Sequence, residues 1–226
     1  MTRLCFRVEG QSEQAFVRNV LAPHFAQYNV IVTEVLPTAL TRKRGRVHRG
    51  GLRSYEPLKN DCLRMLKADQ NLDVSFTTMI DLYGLPRTFP GYQEAVTKND
   101  AYERVALLER AFEKDIGDPR FIAYIQLYEF EALLFSQPEA VGRYFEQPKR
   151  LTASLVGLRD EIGNPELIDD GEDSAPSRRI GKAIPDYSRA KATAGPIIAR
   201  AIGIPTMRRE CAHFNQWLTK LENLGN

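Results

Sequence analysis

The alternation of strand-like and helical runs constrains this chain most. Four short stretches rich in apolar and β-branched residues, 3–8, 29–36, 74–81 and 121–128, read as strands. Between them, apolar residues recur at helical spacing. Phe16, Val20 and Leu21 mark one helix over 12–27, and Leu58, Cys62, Met65 and Leu66 a second over 56–70. Val105, Leu108, Phe112 and Ile116 mark a third over about 95–116, and another begins at about 130. Strands separated by helices close most simply into an α/β fold with a mainly parallel sheet of about four strands flanked by helices. Residues 1–140 are expected to form this core, and 141–226 a mostly helical region packed on it. That region is interrupted by the acidic loop Asp169-Asp170-Gly171-Glu172-Asp173 and ends in an amphipathic helix over about 208–223, with Phe214, Trp217, Leu218 and Leu221 inward. The 226 residues suffice for one sizeable core.

Several chemistries find no footing. Cys5, Cys62 and Cys211 are far apart and form no CxxC pair, which argues against a zinc site or a disulfide framework. No GxxxxGK[ST], GxGxxG or GxSxG string occurs. His24, His48 and His213 are scattered, and His213 lies beside core aromatics, where a structural role fits best. The N-terminus lacks a signal-peptide core, and no apolar run approaches ~18 residues. A soluble cytoplasmic protein without a membrane partner is expected.

Acids recur where the strands end. Glu9 follows the first strand, Asp81 closes the third, and Glu129 follows the fourth, with Glu131 two residues on. In a parallel sheet the C-terminal strand ends share one edge, where ligands bind. Carboxylates gathered there repel unless a cation neutralises them, and their oxygens suit Mg²⁺ or Mn²⁺. Taken singly, each acid has a structural explanation. Glu13 complements the dipole of the helix it opens, Glu9 and Asp81 are turn acids, and Glu129 and Glu131 are first-turn helix acids. The structural explanations do not require the acids to recur at one edge, whereas a shared site does.

The formal net charge is +2, but the basic residues are clustered. Arg42, Lys43, Arg44, Arg46, Arg49 and Arg53 fall in a loop over 41–53, and Arg178, Arg179, Lys182, Arg189 and Lys191 form a second group. Such segments suit phosphate-bearing partners, DNA or RNA, though a solvated face has the same composition.

The string Val8-Glu9-Gly10-Gln11-Ser12-Glu13 resembles the first Toprim motif of OLD-type nucleases, and Met79-Ile80-Asp81-Leu82-Tyr83-Gly84 is similar to the second. With Glu129-Phe130-Glu131-Ala132-Leu133-Leu134-Phe135, Ala175-Pro176-Ser177-Arg178-Arg179 and Cys211-x-His213-Phe214-x-x-Trp217-Leu218, the whole chain resembles an uncharacterised bacterial domain-of-unknown-function family of the Toprim superfamily. The resemblance implies a Toprim-like fold and a metal-dependent nuclease or phosphodiester-processing subunit. It also implies work alongside an ABC/AAA-type ATPase in phage defence. By similarity, Glu9, Glu13 and Asp81 hold Mg²⁺ or Mn²⁺, Lys182 or Lys191 is the downstream catalytic lysine, and Arg178 and Arg179 contact phosphate. The second motif is usually Asp-x-Asp, but Leu82 and Tyr83 follow Asp81 here. Either Glu129 or Glu131 substitutes, or one metal serves instead of two, or the fold acts as a non-catalytic adaptor on an ATPase. A toxin-like RNase shares the same site and differs only in substrate. The oligomeric state is left open.

Overall fold

The computed structural model describes residues 1–38, 52, 54–168, 171 and 174–225, together with the backbone of 42–43 and 46–47. In chain order its regular elements are β1 (Thr2–Val8), α1 (Gln11–Phe16), a π-helical turn (Val17–Leu21), α2 (Ala22–Ala26), β2 (Val30–Pro37), β3 (Arg42–Lys43), β4 (Arg46–Val47), α3 (Tyr55–Ala68), β5 (Val74–Asp81), α4 (Tyr92–Ala95), α5 (Ala101–Ile116), β6 (Phe121–Ile122) and β7 (Ile125–Gln126). A 3-10 helix (Phe130–Ser136) then leads into α6 (Glu139–Tyr144), α7 (Lys149–Ile162), a 3-10 turn (Pro165–Leu167), α8 (Pro176–Ala183), α9 (Pro185–Ile202), α10 (Ile204–Glu210), α11 (Ala212–Glu222) and a closing 3-10 turn (Asn223–Gly225).

The sheet is parallel throughout, in the order β2-β1-β5-β6, with β7 also paired to β5. Its strands alternate between two apolar layers, as the period-2 geometry requires. Leu4, Phe6 and Val8 join the cluster that holds α1, α9, α10 and α11, whereas Cys5, Val74, Phe76 and Ile80 join the cluster of α3 and α5. Residues of the C-terminal helices, among them Ile198, Met207, Phe214 and Trp217, thus share one continuous core with β1. Trp217 is tied to the sheet by its indole, which donates to Thr77 Oγ1 at 3.0 Å, and by stacking on Tyr124 with ring centroids 3.9 Å apart.

The chain runs from β1 outward to β2, then crosses β1 to reach β5. The helix after β1 lies on one face and the helix after β2 on the other. The sheet therefore has its topological switch point between the C-terminal ends of β1 and β5, the place where open parallel sheets leave a crevice.

Several expected elements take a different form. The helix expected over 12–27 contains a π turn, in which the Ala22 amide bonds to Val17 O one residue further back than in an α-helix. Pro23, which has no N–H to give, follows at once. The fourth strand is broken into β6 and β7, because the Ala123 amide goes to Glu113 Oε1 (3.0 Å) and the Tyr124 amide to Thr78 Oγ1 (2.9 Å). The helix over 95–116 begins only at Ala101, where Asp100 caps it by accepting from the Glu103 amide at 2.8 Å. The helix over 208–223 is two, α10 and α11, because the buried Glu166 carboxylate accepts from the amides of His213 (3.0 Å) and Phe214 (2.9 Å) and starts α11 afresh. In the basic segment, β3 and β4 pair antiparallel, Lys43 opposite Arg46, so that part of the expected loop is a short ribbon.

Candidate functional site

The site is built from the switch point outward. β1 ends against β5 with Val8 opposite Met79, and the Glu9 amide continues the pairing by donating to Met79 O at 3.0 Å. The Glu9 side chain turns back across the gap, where its Oε2 accepts from the Asp81 amide at 2.8 Å. Two residues 72 positions apart in sequence are thus joined at adjacent strand ends.

Glu13 enters from the first turn of α1 and is buried. Its Oε2 accepts from the Gly10 amide at 2.8 Å, which satisfies one of the open donors at the helix start. Gly10 has extended backbone, φ −150°. Its lack of a side chain serves proximity instead: a Cβ there would lie 3.3 Å from Glu13 Oε2.

The third contribution comes after β7. Tyr128 adopts a left-handed conformation, φ 58°, which is costly for a bulky residue and swings the chain off the sheet. Glu129, buried, then opens the 3-10 helix, and the Phe130 amide donates to Asp81 Oδ1 at 3.0 Å. Asp81 therefore caps this helix while its own amide is held by Glu9. Glu129 reaches α8 instead, where its carboxylate accepts from the Ser177 amide (2.8 Å) and the Ser177 hydroxyl (3.1 Å).

Glu131 is fully buried. Its Oε1 accepts from the Tyr187 hydroxyl at 2.9 Å and pairs with Lys191 Nζ at 3.2 Å, while its Oε2 is buried with no hydrogen-bond partner among the described residues.

Electrostatics mark Glu9, Glu13, Asp81 and Glu131 as one cluster. Burial, then the charges of Glu9 and Glu131, push the Glu13 carboxyl up to about 7. Burial, then Glu9, Glu13 and Glu131, push Asp81 well above the usual carboxylate range. Burial also raises Glu131, against the opposing pull of Lys191. For Lys191 burial disfavours the charge, yet Glu131, Glu129 and Asp81 outweigh it and hold the ammonium above its ordinary value. The chain has gathered more negative charge here than one lysine balances.

The donor set consists of carboxylate oxygens, which suit a hard divalent ion. The orphaned Glu131 Oε2 fits the same requirement, since a buried carboxylate oxygen without a partner is costly unless something neutralises it. Among the described residues, no group of three or more His, Cys, Asp or Glu side chains is drawn close enough to hold an ion as it stands. Glu9, Glu13 and Asp81 each spend lone pairs on a main-chain amide, but a carboxylate has about four such positions, so these bonds orient the acids without exhausting them.

Of the two candidate lysines, Lys191 is the one paired with Glu131, while Lys182 is exposed on α8. Arg178 is exposed on the same helix, and Arg179 donates from Nε to Ser174 O at 2.5 Å. Arg42, Lys43 and Arg46 lie in the β3–β4 ribbon, whose backbone alone is described; Arg44, Arg49 and Arg53 lie outside the described residues, as do Asp169, Asp170, Glu172 and Asp173 of the acidic loop. Sequence reasoning missed Ser177 and Tyr187. Tyr187 precedes Lys191 by one helical turn, so both fall on one face of α9, and that spacing was the available signal.

A cavity of about 950 Å³ lies apart from the acids, between α5 and α11. At its wall His213 Nε2 meets Glu109 Oε1 at 3.0 Å and the imidazole stacks on Tyr124, in keeping with the structural role expected of His213.

Fold and site together define a parallel α/β protein with a buried acidic cluster at the sheet's switch point. The chain belongs to the family described as Domain of unknown function (DUF4276), whose model matches residues 8–222. Among solved structures, it is similar to the C-terminal region of the Xanthomonas campestris pv. campestris OLD protein, at 14% identity and a TM-score of 0.41, covering 100% of this chain and 96% of that one. No curated protein matches the chain.

Proposed function

We propose that this chain is a Toprim-like, divalent-metal-dependent nuclease or phosphodiester-processing subunit. The observation that supports it most is the electrostatic one: Glu13 and Asp81 at the switch point resist ionisation, first through burial and then through the charges of Glu9 and Glu131 beside them. In this reading Glu9 and Asp81 hold Mg²⁺ or Mn²⁺, Glu13 and Glu131 complete the shell, and Glu129 contributes from the mouth of α8. Held by these acids, such an ion would supply an activated water and offset charge on a scissile phosphate. Lys191 keeps its proton and stabilises negative charge that develops beside Asp81. Lys182, Arg178, Arg179 and the basic segment with Arg42, Lys43, Arg44, Arg46 and Arg49 hold the nucleic-acid backbone by charge. The sequence resemblance adds the setting: an ABC/AAA-type ATPase as partner, in cytoplasmic phage defence.

A specific observation favours a second reading. Glu9 and Asp81 each cap a main-chain amide, and Tyr83, the position where an Asp-x-Asp motif starting at Asp81 would put its second acid, carries no carboxylate. On that reading the acids are structural and the chain is an adaptor that docks on the ATPase.

Incubation with Mn²⁺ or Mg²⁺ and plasmid DNA, total RNA or tRNA, with and without the ATPase, separates the readings. Cleavage that Glu9→Gln abolishes supports the nuclease, and tRNA-restricted cleavage identifies a toxin-like RNase. Absence of cleavage in every arm, with ATPase binding retained, supports the adaptor.

A further inference from the structure

One face of α9 carries Tyr187, Lys191 and Gly195 at successive steps of four residues. The first two both meet Glu131, and both meet the same oxygen: the Tyr187 hydroxyl donates to Oε1 at 2.9 Å, and Lys191 Nζ lies 3.2 Å from it. Oε2 is left buried and without a hydrogen-bond partner among the described residues. Two donors on one oxygen and none on the other fix the rotation of a carboxylate and leave a single oxygen available. Tyr187 is itself fully buried, so its hydroxyl has little freedom to look elsewhere. Gly195 makes this possible. A Cβ at that position would lie 3.1 Å from the Phe130 ring and 3.2 Å from the Tyr187 hydroxyl, tighter than ordinary contact. The glycine lets α9 approach the 3-10 helix closely enough for the phenol to reach Glu131.

We infer that Tyr187, seated by Gly195, is a positioning residue that locks Glu131 Oε1 so that Oε2 is presented to a divalent cation. The inference rests on the metal-binding reading above. Outer partners of this kind typically change metal affinity by roughly 10–100-fold when removed.

Mn²⁺ binding, followed by calorimetry and by the Mn²⁺ electron-spin signal, tests it without any need for turnover. Tyr187→Phe keeps the ring and its packing and removes one hydroxyl. It is expected to weaken Mn²⁺ by roughly ten-fold or more, with a modest fall in Tm from the lost buried hydrogen bond. Gly195→Ala keeps the hydroxyl but crowds it and should give a smaller loss in the same direction. In a Glu131→Gln background, Tyr187→Phe should cost nothing further, because its action passes through Glu131. Tyr144→Phe, at a half-exposed tyrosine, serves as the unchanged control. If wild type binds Mn²⁺ and Tyr187→Phe binds it equally well, the positioning role is wrong while the metal site stands. If wild type binds no divalent ion, both fall together.

Discussion

Replacing Glu13 by glutamine should make the metal-free protein more stable at neutral and alkaline pH. Glu13 is buried, and its carboxyl is raised from 4.5 to about 7 by burial and by Glu9 and Glu131. The folded state therefore binds the proton more tightly than the unfolded chain does. Stability from this group is fully present below the unfolded value and is lost as pH rises to the folded one. The cost of folding around the ionised form grows from under ~1 kcal/mol near pH 5 to ~3 kcal/mol near pH 8. Glutamine retains an oxygen for the Gly10 amide and carries no charge, so it escapes the penalty. Urea unfolding of both proteins in chelator, at about pH 5 and about pH 8, measures the difference. The gain from Glu13→Gln should rise by about 2–3 kcal/mol between the two conditions, equivalent to roughly 5–10 °C in Tm for a chain of this size. Saturating Mn²⁺ should reverse the order at the higher pH, because it stabilises only the fold that retains its ligand. Equal pH slopes for the two proteins would refute the claim that Glu13 is held in a like-charged buried cluster.

Other perturbations have separate outcomes. Gly10→Ala places a Cβ 3.3 Å from Glu13 Oε2, so it should weaken divalent-ion binding in calorimetry while changing stability by under ~1 kcal/mol in unfolding, because the entropic gain of a backbone-compatible Gly→Ala change offsets the tight contact. Glu166→Ala removes the carboxylate that starts α11 and receives the Tyr102 hydroxyl at 2.9 Å; a loss of about 3 kcal/mol is expected in urea unfolding, since two buried main-chain amides and a half-buried hydroxyl lose their acceptor. Trp217→Ala should cost about 3–5 kcal/mol by the same measurement, through the cavity it leaves against Tyr124 and Phe6.

The sheet was largely legible because its central strands β1 and β5 are buried on both faces and so are rich in apolar and β-branched residues; the expected 74–81 coincides with β5. The acids at strand ends were legible for a related reason, since a parallel sheet puts such positions on one edge wherever the strands fall in the order. The strand order, and hence the switch point between Glu9 and Asp81, lay in long-range pairing that periodicity does not encode. What escaped were elements decided by single side-chain captures. Glu113 and Thr78 divert the amides that break β6 from β7, and Glu166 divides α10 from α11. The expected helix from about 130 is a 3-10 helix whose first amide is held by Asp81. Tyr187 was hidden similarly: its partner Glu131 is 56 positions away, and only the packing of α9 on the 3-10 helix brings them together.

The central claim is that the acids at the switch point share a divalent cation. Anomalous scattering from a crystal soaked in Mn²⁺ tests it directly. A peak is expected between the ends of β1 and β5, bound by Glu9 and Asp81 with Glu13 or Glu131 in the same shell, and lost in Glu9→Gln. A soak at saturating Mn²⁺ with no peak at that edge, or with Mn²⁺ bound elsewhere while these acids keep their main-chain partners, would overturn the shared-cation site.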